Sequence, residues 1–192
     1  NLLNEINMCI IVAKPAGASL PSKETLISCI ERNPHGFGFA TPTKVYHTMK
    51  PSEFLREVYK QIGPDEPAIL HCRIATNGSI GLKNCHPFTD KKTGVIFAHN
   101  GILHNAPIQG DETDSEAAFR RYYLPVIRRY GYKSHELCAA VRDTIGASRF
   151  AFLNTYGQLQ LFGRFYEIDG CFYSNLNFST PHSPFYGAPF TA

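Results

Sequence analysis

No stretch of this chain is apolar for long enough to cross a bilayer. The longest apolar runs, such as Cys9-Ile10-Ile11-Val12-Ala13, fall far short of the roughly 20 residues a spanning helix needs. The N-terminus lacks a basic head followed by an apolar region, so no secretory signal is expected. There is no basic run of the kind that grips a phosphate backbone. The 19 Lys+Arg stand against 16 Asp+Glu, a formal charge of only +3, which argues against nucleic acid as the main ligand. Six cysteines, at 9, 29, 72, 85, 138 and 171, include no C-x-x-C pair. Scattered in this way, they read as reduced thiols, not as a disulfide framework. Repeats, linkers and low-complexity segments are also missing. The expectation is a soluble cytoplasmic protein, in the host cytoplasm if a virus encodes it. What is present suits that reading: hydrophobic residues make up 43%, with 14 Phe and 10 Tyr, in 192 residues. That is enough to pack one sizeable core.

Periodicity divides the chain into short elements. Residues 1–8 look like an appendage ahead of a Met8-Cys9 pair that would make an ordinary translation start. We expect them to be a leader, propeptide or upstream extension, with 9–192 forming a single domain. A strand runs from Cys9 to near Ala13. Lys23 to Asn33 carries apolar residues at helical spacing. Phe37–Ala40 and Val45–His47 read as a hairpin. Ser52 to Ile62 is a second helix, with Phe54, Leu55, Val58 and Ile62 on one face. Strands are expected at Ala68–Ala75 and Gly94–Ala98, separated by a long polar loop from Asn77 to Thr93. Thr113-Asp114-Ser115-Glu116 fits a capping box that opens a helix towards Tyr130, with Pro125 placed to kink it. Ser134–Ile145 is a further helix. Strands follow at Arg149–Asn154, Gln158–Phe162, Phe165–Ile168 and Cys171–Ser174. Strands at both ends and helices in two groups suggest two sheets with helical layers outside.

Four clusters could carry chemistry. Cys9 is either a small apolar residue opening a buried strand or, once residue 8 is removed, a thiol and a free amine on one residue. An α-amino group titrates at about 7.7–8.0, well placed to take a thiol proton. In His71-Cys72-Arg73-Ile74-Ala75-Thr76-Asn77-Gly78, His71 and Arg73 project to one face of a strand. A structural salt bridge or a carboxylate-bearing ligand would account for them equally well. Asn84-Cys85-His86-Pro87-Phe88 precedes Ala98-His99-Asn100-Gly101. His-Asn-Gly favours a tight hairpin turn, and it would also set an amide side chain beside an exposed glycine N–H, as in an oxyanion hole. Cys85 and His86 lack partners at zinc spacing, and no metal is expected. Asp114 either complements its helix dipole or receives a ligand ammonium.

In this order, Cys9 after Met8, His-x-Arg-x-Ala-Thr-x-Gly, His-Pro-Phe, His-Asn-Gly and the acid at Asp114 together resemble the class II glutamine amidotransferases. The resemblance covers roughly Cys9 to Glu116. It implies an α+β fold, a four-layer αββα sandwich of two mostly antiparallel sheets, as in N-terminal-nucleophile hydrolases. It implies that Cys9 attacks the side-chain amide of L-glutamine while its own amine relays the proton. Asn100 and Gly101 would hold the oxyanion. Arg73 would bind the α-carboxylate and Asp114 the α-ammonium, with Thr76 and His86 lining the pocket. No cofactor is implied, and a synthase subunit in trans is a candidate recipient of the ammonia. Residues 1–8 depart from the pattern, since they would block the Cys9 amine. A non-catalytic binding or regulatory protein that keeps the pocket, or a hydrolase of another amide, are the alternatives.

Overall fold

A computed structural model describes residues 8–75 and 79–179. Two antiparallel sheets lie face to face. The first has six strands: β1 (Ile10–Lys14), β2 (Phe37–Ala40), β3 (Val45–Thr48), β4 (Ala68–Cys72), β9 (Tyr166–Ile168) and β10 (Cys171–Tyr173), in the order β3-β2-β4-β1-β10-β9. The second has four, β5 (Phe88–Asp90), β6 (Val95–Asn100), β7 (Arg149–Leu153) and β8 (Leu159–Phe162), in sequential order.

Strand alternation explains the layers. On β1, Ile10 and Val12 join Leu70 and Cys72 of β4 in a core with helices α1 (Lys23–Arg32) and α2 (Pro51–Gln61). On β6, Val95 and Phe97 join Phe150 and Phe152 of β7 under the second group of helices. That group comprises α3 (Asp114–Ala118), a π-helical turn (Phe119–Tyr123), α4 (Leu124–Tyr130) and α5 (His135–Ile145). The alternate residues, Ile11, Ile69, Ile96 and Leu153 with the small Ala40, Ala98 and Ala151, meet between the sheets. Phe97 packs against Phe119, Tyr123, Phe150 and Phe152 at centroid separations of 4.8–5.5 Å. Each such ring contributes about 1.5–3 kcal/mol by burial, so Phe119 and Tyr123 help fasten the second helical layer to its sheet. The result is the expected αββα sandwich.

Three expectations change in detail. His-Asn-Gly does not make a hairpin. β6 and β7 are antiparallel neighbours, but the chain between them carries all the helices from α3 to α5, so tertiary pairing overrides the local turn preference. The strand expected over 68–75 ends at Cys72, because Ile74 N–H turns to the Cys9 sulfur at 3.3 Å instead of to a backbone carbonyl. The polar loop of 77–93 contains β5, which pairs with β6 from Phe88↔Phe97 to Asp90↔Val95. The helix from Thr113 begins at its capping threonine, whose side chain accepts from Glu116 N–H. It widens into the π-turn just before Pro125, where the ring removes a hydrogen-bond donor.

Candidate active site

β1 and β4 run antiparallel with Ile10 opposite Cys72, so Cys9 and Arg73 emerge together at one end of the first sheet. Cys9 is partly exposed. Its thiol donates to Ile74 O and its sulfur accepts from Ile74 N–H, both at 3.3 Å. Its carbonyl accepts from Asn175 Nδ2 at 2.8 Å. Burial pushes the thiol up to about 11, against smaller downward pulls from the Ile74 hydrogen bond and the Arg73 charge; Asp114 adds a small upward push. Both a cation and an anion therefore act on this sulfur. Arg73 is buried, and its Nη1 donates to Ser79 O at 3.1 Å.

The second sheet brings Asn100 and Gly101 to the same end. Asn100 closes β6 and donates from Nδ2 to Ser174 Oγ at 2.9 Å. Ser174 Oγ also accepts from Ile11 N–H at 2.9 Å, which ties the end of β6 to the strand that begins beside Cys9. Gly101 has φ 141°, and a Cβ there would lie 2.7 Å from Ser148 Cβ. Both the backbone angle and the space require glycine.

Asp114 opens α3 and does more than complement its dipole. Oδ2 accepts from Leu103 N–H at 2.7 Å and Oδ1 from Ser115 N–H at 2.8 Å, so the carboxylate pins the loop that follows Gly101. His86 is buried next to His71, with ring centroids 4.4 Å apart. Neither of its ring nitrogens has a hydrogen-bond partner among the described residues. Thr76, expected to line the pocket, lies outside the described residues.

Three histidines surround this end of the sandwich, and all are held neutral. His71 donates from Nε2 to His99 O at 3.2 Å, and His99 Nδ1 pairs with Ser115 Oγ at 2.7 Å. Burial lowers His71 to about 3 and His99 to about 4, the nearby Asp114 charge opposing the latter. Burial likewise takes His86 well below its ordinary range, helped by repulsion from His71 and His99. In the unfolded chain these groups titrate near 6.5. As pH falls below that value the unfolded chain takes up protons that the fold refuses. The stability is therefore complete above about pH 6.5 and declines as pH falls towards the folded values, by up to about 1.4 kcal/mol per pH unit for each histidine. The urea midpoint is expected to fall steeply between pH 7.5 and 5.0. An unchanged midpoint would mean that the fold accepts these charges.

Ser174 and Asn175 carried no motif, and Ser115 was read only as part of the capping box. The one available signal was a pair of polar residues directly after an apolar strand, and both Ser174 and Asn175 are fully buried. A surface cleft of about 580 Å³, lined by residues such as Pro42, Pro64 and Tyr156, lies at the opposite end of β1 and includes none of the residues above.

The family described as glutamine amidotransferases class-II matches residues 49–162, and the chain belongs to that family. The match spans Arg73, His86, Asn100, Gly101 and Asp114; Cys9 and Ser174 lie outside it. Two curated relatives are similar over parts of the chain. A Haemophilus influenzae protein named "Putative glutamine amidotransferase" is 45% identical over 60 residues, 27% of this chain and 20% of that protein. The glutamine–fructose-6-phosphate aminotransferase (isomerizing) of Methanothermobacter thermautotrophicus is 31% identical over 119 residues, 57% of this chain. The matched stretch is 20% of that protein too, so the chain aligns with about a fifth of each relative. No helix among the described residues is long and apolar enough to cross a membrane.

Proposed function

We propose that this protein releases ammonia from L-glutamine through a thioester on Cys9. The observation that carries the reading is the convergence of a thiol, a buried arginine, a buried carboxylate and a strand-end Asn-Gly step at one end of the sandwich. Family membership supports it independently. Free glutamine is a zwitterion, and Arg73 and Asp114 offer one cation and one anion beside the nucleophile. Arg73 takes the α-carboxylate through its planar fork. Asp114, already fixed by two backbone N–H groups, keeps lone pairs for the α-ammonium. His86 lines the remainder of the pocket.

The chemistry follows from these placements. The free amine of Cys9 takes the thiol proton, and the sulfur attacks the side-chain carbonyl carbon. The second N–H of Asn100 Nδ2 and the Gly101 N–H hold the oxyanion that forms. The same amine returns the proton to the leaving nitrogen as the C–N bond breaks, giving ammonia and a thioester. Water, deprotonated by the amine, then releases glutamate and restores the thiol. A separate synthase subunit is the proposed recipient of the ammonia; the amino-transferring name of the methanogen relative supports a recipient of that kind.

Steady-state kinetics separate the two halves of the site. Arg73→Lys keeps the charge but loses the fork, and KM for glutamine is expected to rise about tenfold or more. Asn100→Ala is expected to act on kcat instead, lowering it roughly 10²–10³-fold. An unchanged kcat in the Asn100 variant would mean that another group holds the oxyanion. The rival reading is a non-catalytic glutamine-site protein. In its favour is the state of Cys9 with Met8 attached, a protonated thiol hydrogen-bonded, among the described residues, to the Ile74 backbone.

A further inference from the structure

We propose that Ser174 is the positioning residue of the oxyanion site, fixing which end of the Asn100 carboxamide faces the substrate. The inference rests on the reading of Asn100 as the oxyanion donor. A carboxamide is nearly symmetrical in shape but opposite in polarity at its two ends. Turned one way it offers N–H to a developing negative charge; turned the other way it offers a carbonyl oxygen that repels it. Some group has to decide between them.

Ser174 is the group placed to do so. Its Oγ accepts from Asn100 Nδ2 and from Ile11 N–H, each at 2.9 Å. A hydroxyl has two acceptor lone pairs, and these two donors fill both. The serine cannot drift, because its own N–H donates to Ile11 O at 3.0 Å, so backbone and side chain together grip one residue of β1. On the other side, Asn100 Oδ1 has no hydrogen-bond partner among the described residues. Among the described residues, the Ser174 contact is therefore the one hydrogen bond the amide makes. It uses one of the two Nδ2 hydrogens and leaves the second for the oxyanion.

The next residue completes the device. Asn175 Nδ2 donates to Cys9 O at 2.8 Å, so two consecutive side chains hold the carbonyl of the nucleophile and the amide of the oxyanion donor. Ser174 and Asn175 are 0% exposed and Asn100 is 1% exposed. Water does not compete for these bonds, and their geometry is set by protein alone.

The test uses a γ-aldehyde analogue of glutamine in the ammonia-releasing protein. The Cys9 S–H adds across the aldehyde C=O: an S–C bond forms, the π bond breaks, and the resulting oxygen sits where the oxyanion would. Glutamate, which makes no such adduct, reports on the rest of the pocket. Ser174→Ala is expected to weaken the aldehyde about 10–100-fold and to lower kcat by a similar factor. Glutamate affinity and glutamine KM should stay within about threefold. Ser174→Cys, which keeps a weak acceptor, should fall between. Adding Ser174→Ala to Asn100→Ala should cost nothing further, since the amide to be oriented is gone. The proposal is overturned if Asn100→Ala loses the aldehyde while Ser174→Ala retains it, or if aldehyde and glutamate weaken together. Should Ser174→Ala fail to fold, an undiminished aldehyde affinity in Ser174→Cys overturns it equally. Retention of the aldehyde by Asn100→Ala itself is a distinct result, because it removes the oxyanion assignment on which the proposal stands.

Discussion

Cys9→Ala is expected to abolish ammonia release from glutamine, by about 10⁴-fold or more, without unfolding the protein. In the proposed mechanism the thiol sulfur forms the new bond, so its removal leaves no nucleophile. Its contribution to the fold is small. Among the described residues, Sγ hydrogen-bonds to the Ile74 backbone, and sulfur is a weak donor and acceptor, so the thermal midpoint should move by a few degrees. A glutamine-analogue electrophile should in turn label Cys9 ahead of the other five cysteines. Cys29, Cys72, Cys85 and Cys171 are buried, and burial raises each of their thiols. Cys138 is partly exposed and serves as the internal control for simple accessibility. Peptide mapping of the labelled protein decides the matter; label spread evenly over several cysteines would sink the assignment.

Much of this architecture was legible because its elements are amphipathic over several residues. Alternation on β4 and helical spacing on α1 and α2 each report a buried face, and these elements appear within a few residues of their expected ends. Short or non-local features were less legible. β5 has three residues, Phe88–Asp90, too few for a period to register. Its turn is instead held by Asp90 Oδ2, which accepts from the Thr93 N–H and hydroxyl at 2.9 and 2.8 Å. Asn100-Gly101 carries a strong local preference for a tight turn, yet Gly101 is needed because Ser148, just ahead of β7, occupies the space a Cβ would fill. Local propensity identified the right glycine for the wrong reason.

The candidate site divides along the same line. Arg73, Asn100 and Asp114 were visible as polar residues at the ends of apolar strands or in a helix cap. Ser174 lies 74 residues from Asn100 and 163 from Ile11 in the chain. No spacing rule joins residues so far apart; the pairing of β10 with β1 brings Ser174 to Ile11, and the packing of the two sheets brings Asn100 to Ser174. His71 was visible as a basic residue on an apolar strand, but its partner is the carbonyl of His99, a backbone atom without any sequence signature.

The second large effect concerns the amine of Cys9. With a peptide bond to Met8, that nitrogen is an amide and cannot accept a proton at neutral pH. Burial pushes the thiol up to about 11, so at pH 7 it stays protonated. His71, His86 and His99 offer no substitute among the described residues: His99 is engaged with Ser115, His71 with the His99 carbonyl, neither ring nitrogen of His86 has a hydrogen-bond partner, and none of the three bonds to Sγ. Protein whose first residue is Cys9 gains an amine that titrates at about 7.7–8.0 next to its own thiol. A positioned base of this kind contributes about 10²–10⁴-fold, and its loss should be of that size or larger. The same amine gives activity an acid limb near pH 7.7–8.0, rising as it deprotonates. N-terminal sequencing and a glutaminase assay on the same sample test the mechanism most directly. The N-terminal-nucleophile mechanism predicts that ammonia release tracks the fraction of chains beginning at Cys9. Full activity in protein that still carries Asn1 to Met8 would contradict it and point to a Cys/His hydrolase.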